Sequence, residues 1–240
     1  MIACVRQGGF TLIEIAVVLL ILGVLTRGMM APLVAREQAI RFERAQAELV
    51  LIKKSITAYV IRNGVLPCPL TTTGATSNPA ITTNVCSVAQ GYIPANELAM
   101  SGSTNPNGGL IDPWGRLYRY AISLNSDENR GRLNEPDWTS RGEPSRVGLR
   151  HLAASLQLCR TSSSSDCARS DLRANQLAYV VMSQGQDLTD TALQRENVDG
   201  DNVFVISEYS RHIEQPFDDL LIWASAQDVM YWMLRAAWLP

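Results

Sequence analysis

The chain has 240 residues, a net charge of -2 and a pI near 5.7. That length suits one large domain or two small ones, and an apolar share of 46% is enough to build a core. A near-neutral surface without a long run of Lys or Arg carries no electrostatic footprint for nucleic acid, and four Phe and seven Tyr make no stacking platform for single strands.

The first element is apolar. Residues 1–9 read Met-Ile-Ala-Cys-Val-Arg-Gln-Gly-Gly, and the sixteen residues from Phe10 to Leu25 hold one charge, Glu14. As a helix that run is roughly 24 Å long, short of a hydrocarbon core of about 30 Å. Arg27 is placed to snorkel to the headgroups. A secretory signal peptide shares the basic flank and the apolar core. Two details disagree with that reading. Gly8-Gly9 precedes the apolar run, whereas a signal peptidase site follows it, and a carboxylate inside a bilayer segment costs on the order of 3 kcal/mol.

Gly9-Phe10-Thr11-Leu12-Ile13-Glu14 resembles the class III leader of type IV pilins and type II secretion pseudopilins. The resemblance implies cleavage between Gly9 and Phe10 by prepilin peptidase, with N-methylation of Phe10. Cutting ahead of the apolar run leaves the mature protein its transmembrane helix. It also gives Glu14 a role. The new amino group of Phe10 lies in or near the membrane, where a carboxylate one turn away neutralises it and sets the assembly register. The partners implied are prepilin peptidase, an inner-membrane assembly platform, other pilin or pseudopilin subunits and membrane lipid.

Ala31-Pro32 can kink a helix without ending it. Helical spacing resumes from Arg36 to Arg62, with Leu49, Ile52, Ile56 and Tyr59/Val60 on one face, and Asn63-Gly64 reads as a stop. One helix from Phe10 to about Arg62 is expected; two helices broken at Gly28–Pro32 remain the alternative. The expected organisation is a leader over 1–9, a transmembrane or filament-core helix over 10–34, an amphipathic half over 35–63 and a head over 64–240.

In the head, Val65-Leu66-Pro67-Cys68-Pro69 excludes a helix, and residues 71–88 and 100–109 read as loops. Asp112-Pro113-Trp114-Gly115 is a turn signal ahead of a strand candidate, Arg116–Ile122. Leu177–Met182, Asn202–Ile206 and Leu220–Trp223 are further strand candidates, and residues 226–238 fit a last helix. The run Asp112–Tyr120 is similar to the start of a strand in the major pseudopilin, and Val181–Asp187 and Asp218–Trp223 look like that family's later strands. The head is longer than a typical one and resembles a group of larger pilin-like proteins of type II secretion and type IV pilus operons.

Five cysteines are present, of which Cys4 falls in the expected leader. Cys68, Cys86, Cys159 and Cys167 allow three pairings in an oxidising compartment; nearest-neighbour pairing is expected, because each pair brackets a loop with few core residues. No pair has Cys-x-x-Cys spacing with a nearby His, so zinc is not expected. Asp187, Asp190, Glu196, Asn197, Asp199, Asp201 and Asn202 cluster within sixteen residues, with Asp218 and Asp219 beyond. Taken alone this is a solvated acidic turn. The major pseudopilin family binds Ca²⁺ in the loop between its last strands, and the resemblance implies such a site here, with Asp187, Asn197, Asp199, Asp201 and Asp218 as oxygen ligands.

No nucleophile elbow, phosphate loop or dinucleotide fingerprint appears, so no enzyme and no organic cofactor are expected. The expected fold is α+β: a long N-terminal helix packed on a small antiparallel sheet with long loops. The expected function is a minor filament subunit of a type II secretion pseudopilus or a type IV pilus. It would sit in the bacterial inner membrane as a single-pass protein with its head in the periplasm, or on the cell surface once assembled. The alternatives are a surface pilus subunit acting in adhesion or DNA uptake, and a membrane-anchored periplasmic protein that never assembles.

Overall fold

A computed structural model describes residues 11–71, 86, 88–123, 138–139, 144–145, 152, 154–161, 167–186, 191–210 and 216–239, the side chains of 25–34 excepted. The chain divides into two compact units, Met1–Glu43 and Arg44–Pro240. Helix α1 spans Leu12–Asn63 and stays helical through Pro32, so two separate helices are not formed.

In the first unit the helix starts at Thr11, whose backbone carbonyl and Oγ1 both accept from the Glu14 amide, at 3.1 and 3.4 Å. Its apolar side chains are open: Leu12 is 89% exposed and Leu20 68%. Among the described residues no helix is long and apolar enough to cross a membrane. The expected transmembrane half over 10–34 takes in residue 10 and the side chains of 25–34, which lie outside the described residues. The described apolar stretch, Leu12–Val24, makes about 20 Å of helix and contains Glu14, against about 30 Å of hydrocarbon.

In the second unit α1 turns one face inward. Ala45, Leu49, Ile52, Ile56 and Val60, spaced by three or four residues, are buried. Burying each of the four larger ones contributes about 1.5–3 kcal/mol before entropy is counted. The helix ends where the sequence predicts. Gly64 adopts φ +71°, and its amide closes the last turn on the Val60 carbonyl at 2.8 Å. The Ile61 carbonyl, one of the four left over at a helix end, accepts from Trp238 Nε1 at 2.8 Å.

Six strands form one sheet: β1 (Gln90–Tyr92), β2 (Arg119–Ile122), β3 (Leu156–Cys159), β4 (Leu172–Ser183), β5 (Val203–Val205) and β6 (Leu220–Ser225). Strand β4 is its spine. Val180 faces Trp223 of β6 on one edge and Ala121 of β2 on the other, while Leu177 faces Ser225 of β6 and Leu156 of β3. Strands β2 and β3 therefore lie end to end along the same edge of β4. Their junction is pinned by Ser123, whose Oγ accepts from the Ser155 amide at 2.9 Å. Strand β5 runs parallel to β3, pairing Leu158 with Phe204, so the sheet is mixed and the all-antiparallel expectation is corrected. Both faces of β4 are covered, which is why Leu177–Met182 reads as an unbroken apolar run. One face packs Tyr118, Tyr120 and Val181 with α1; the other gathers Leu158, Val180 and Phe204.

Helix α2 (Ala192–Glu196) leads into the acidic loop before β5, and α3 (Ala226–Arg235) closes the described fold. Ser225 caps α3 in a reciprocal box with Asp228, and Val229 and Met233 enter the core. The Asp112 turn ties the sheet together. Asp112 is buried, and its Oδ1 accepts from the amides of Trp114 and Arg116 at 3.0 and 2.9 Å. Its Oδ2 accepts from Ser183 Oγ at 2.7 Å. Arg116 then donates to the Gln184, Gly185 and Gln186 carbonyls, which fixes the turn that leaves β4 toward the acidic segment.

Candidate functional site

Gly9 and Phe10 lie outside the described residues, so the site begins at Thr11. Glu14 occupies the third position of the helix, where Thr11 and Glu14 have the spacing of a capping box. A carboxylate there also faces the positive end of the helix dipole. Glu14 thus has a local reason to be present beside the role expected of it, and the Thr-x-x-Glu spacing that carries it is readable in the sequence.

The structure brings together both cysteine pairs expected from the sequence. Cys68 joins Cys86 with a Cα–Cα distance of 5.3 Å, and Cys159 joins Cys167 at 5.9 Å. The first closes a separation of 18 residues beneath β1; the second closes 8 residues at the end of β3. Replacing Cys68 and Cys86 together by Ala is expected to cost about 3 kcal/mol through the loop entropy released in the unfolded chain. In a thermal melt that is a fall of about 6–12 °C. A melt unchanged within a degree would mean that buried contacts alone hold the segment.

The acidic loop is rearranged relative to the expectation. Asp187 lies outside the described residues. Oxygen atoms of Glu196, Asp199 and Asp201 lie within 4.8 Å of one another. Asn197 is occupied elsewhere: its Nδ2 donates to the Val205 carbonyl at 3.0 Å and to Asp219 Oδ2 at 2.7 Å, and its Oδ1 accepts from the Val205 amide at 2.7 Å. Asp218 Oδ1 accepts from Gln194 Nε2 at 2.6 Å and stands apart from the three carboxylates. Through these bonds Asn197 and Asp218 fasten α2 to β5 and to the start of β6. Glu196, acidic and adjacent to Asn197 in sequence, is the member that the expected ligand set omits.

The loop is shaped by local chemistry. Asp199 Oδ1 accepts from the Asp201 amide and Asp201 Oδ1 from the Val203 amide, and Gly200 between them adopts φ +95°, which a side chain would strain. Burial raises the Asp201 carboxyl above the usual carboxylate range; the Val203 amide opposes this and the neighbouring Asp199 charge adds to it. Ca²⁺ takes six to eight oxygens at about 2.3–2.6 Å, so oxygens around one ion lie up to about 5 Å apart. Glu196, Asp199 and Asp201 fit part of such a shell, and backbone carbonyls or water would have to supply the rest.

A family model described as the prokaryotic N-terminal methylation motif matches residues 4–26. The motif supports a pilin-like subunit and implies processing by prepilin peptidase and assembly with other pilin subunits. The match supports the type IV pilin and pseudopilin superfamily for this N-terminus. It covers none of the head. No curated protein and no solved structure matches the chain.

Proposed function

We propose that the protein is a minor filament subunit of a type II secretion pseudopilus or a type IV pilus. The observation that carries this is the methylation motif at 4–26 set directly ahead of a helix whose apolar side chains, from Leu12 to Val24, are exposed. Such a surface gains free energy when it is covered, first by lipid and then by the helices of neighbouring subunits. In this reading the precursor waits in the bacterial inner membrane with its head in the periplasm. Prepilin peptidase cuts between Gly9 and Phe10, Phe10 is methylated, and the assembly platform passes the subunit into the fibre. A head longer than that of a typical major subunit, with several long loops, suits a subunit that caps, initiates or diversifies a fibre. The protein is a substrate of processing enzymes in this reading and not a catalyst.

Mass spectrometry of sheared surface material and of the membrane fraction tests it. A peptide beginning at methylated Phe10 in sheared material marks a surface pilus subunit. The same peptide confined to the membrane fraction marks a secretion pseudopilin or an initiating subunit. Any other N-terminus in both fractions overturns the reading.

Glu14 divides into two separable parts. Glu14→Ala is expected to leave cleavage intact and to lower incorporation about tenfold or more, since a desolvated charge loses its partner. Glu14→Gln keeps a side chain able to cap the helix and removes only the charge. If that variant assembles normally, the carboxylate acts as a cap and not as the partner of the Phe10 amine.

Calcium enters the proposal through Glu196, Asp199 and Asp201. Millimolar Ca²⁺ is expected to raise the melting temperature of the full-length chain by several degrees, and Asp199→Ala or Asp201→Ala to remove the effect. An unchanged melt with Ca²⁺ would leave the loop as a solvated acidic turn.

A further inference from the structure

Among the described residues the sheet ends in three outer strands, and two of their edges are closed. Tyr92 of β1 exchanges backbone bonds with Leu70, at 2.8 and 2.9 Å. Along β5, Val205 gives its amide to Asn197 Oδ1 and takes Asn197 Nδ2 on its carbonyl, and the Val203 amide donates to Asp201 Oδ1. The third outer strand is β6, on the other side of β4. Its residues, Leu-Leu-Ile-Trp-Ala-Ser, carry no charge and no proline, and all but Ala224 are partly exposed. An edge strand of that kind is a template for another strand unless something covers it.

The pairing of β4 fixes which groups of β6 are left over. The Ser123 amide donates to the Ala178 carbonyl, so Ala178, Val180 and Met182 turn their backbone groups toward β2. Tyr179, Val181 and Ser183 then turn theirs toward β6, where they meet Ala224, Ile222 and Leu220. Leu221 and Trp223 lie opposite Met182 and Val180 and point their amides and carbonyls outward. Two side chains agree with that direction. Lys53 Nζ reaches the Trp223 carbonyl at 2.8 Å, and Asp228 Oδ2 takes the Ser225 amide at 3.0 Å. Among the described residues nothing reaches the Leu221 amide, the Leu221 carbonyl or the Trp223 amide, and the Trp223 carbonyl keeps its second lone pair. Each copy thus offers two donors and two acceptors along one open edge.

We propose that two copies of the chain pair edge to edge through β6, antiparallel, with Ile222 on the two-fold axis. In that register Leu221 of one copy faces Trp223 of the other, and the two exchange amide-to-carbonyl bonds. The bonds across the axis use every open group on both copies. Ile222 stands opposite its own counterpart as a pair without backbone bonds, where side chains come closest. The charges fit as well. Asp218 and Asp219 stand at the start of β6, and Lys53 reaches toward its end. Antiparallel pairing sets the Lys53 end of one copy beside the acidic end of the other and keeps like ends apart. The uncharged edge offers a charged peptide no partner, whereas a second β6 matches it group for group. The contact is isologous, so it closes with two copies. It uses only the second unit and does not depend on the filament reading.

The test is oxidative cross-linking of the full-length chain in detergent, with micelles in large excess and Cys4→Ser as the background. Paired residues without backbone bonds bring their Cα atoms to about 4.5 Å, which a disulfide spans. Ile222→Cys is therefore expected to give a covalent dimer on mild oxidation with copper phenanthroline. Leu220 lies on the same face of β6. Leu220→Cys sets the two sulfurs about four residues apart along the strands, roughly 13 Å, and should cross-link at least tenfold less. Leu221→Pro, added to Ile222→Cys, removes an outward amide without touching the ladder to β4, and should cut the dimer at least fivefold. An Ile222→Cys chain that stays monomeric would leave the edge to a strand of another protein and overturn the proposal. Equal cross-linking of the Leu220→Cys and Ile222→Cys chains would mark random collision and overturn it too, as would a dimer untouched by Leu221→Pro.

Discussion

Asp112→Ala is expected to lower the stability of the head by about 4 kcal/mol. Its buried carboxylate receives three hydrogen bonds, from the amides of Trp114 and Arg116 and from the Ser183 hydroxyl. Alanine leaves those donors without an acceptor, and Ser183 itself is fully buried. Each orphaned donor costs about 1–3 kcal/mol, with some relief from water reaching the partly buried turn. For a chain of this size that corresponds to a drop in melting temperature of about 8–16 °C. Asp112→Asn should lose much less, since an amide oxygen can still accept from the two amides. A loss under about 1 kcal/mol for the alanine variant would mean that Arg116, through its bonds to the Gln184, Gly185 and Gln186 carbonyls, holds the turn by itself.

Gly64→Ala is expected to cost about 3 kcal/mol, from two sources. The φ of +71° is a left-handed conformation that costs a side-chain-bearing residue about 1–2 kcal/mol. A Cβ at this position would also stand 2.6 Å from the Trp238 ring, which must shift and give up its bond to the Ile61 carbonyl. A double-mutant cycle separates the two. In a Trp238→Ala background the Gly64→Ala penalty should fall by about 1 kcal/mol or more, leaving the conformational part. Equal penalties in both backgrounds would rule out the ring contact as a cause.

The N-terminal segment and the inward face of α1 were legible in the sequence because both depend on local pattern. The apolar run, the lone Glu14 and the recurrence of Leu49, Ile52, Ile56 and Val60 are signals within a few turns of one helix. The Asp-Pro-Trp-Gly turn was legible for the same reason: its aspartate bonds amides two and four residues ahead. What escaped was decided at a distance. Strand β1 is the tripeptide Gln-Gly-Tyr, too short for any period, and it forms because β2 offers it a ladder. Strand β3 has four residues and gains its place from β4 on one side and parallel β5 on the other. The first half of β4, Leu-Arg-Ala-Asn-Gln, is polar and mostly exposed, so only the apolar second half reads as strand. At the acidic loop, composition marks a segment rich in carboxylates, but it does not say which oxygens already hold hydrogen bonds. Asn197 and Asp218, expected as ligands, hold hydrogen bonds to Val205, Asp219 and Gln194 that no composition could announce.

The end-to-end placement of β2 and β3 has a practical consequence for engineering. The segment joining them, residues 124–154, departs from and returns to neighbouring points, because Ser123 and Ser155 are hydrogen-bonded to each other. Lengthening a connection whose ends are already fixed together costs only about 0.6 kcal/mol for each doubling. An epitope tag or a small folded reporter spliced in away from the buried Trp138, Thr139 and Leu152 leaves the register of β4 to its own pairs with β2, β3 and β6. The chain can then be labelled in the head while its N-terminal helix stays native; in the proposed reading a fusion at the N-terminus would be cut away, and at the other end Trp238 lies against α1.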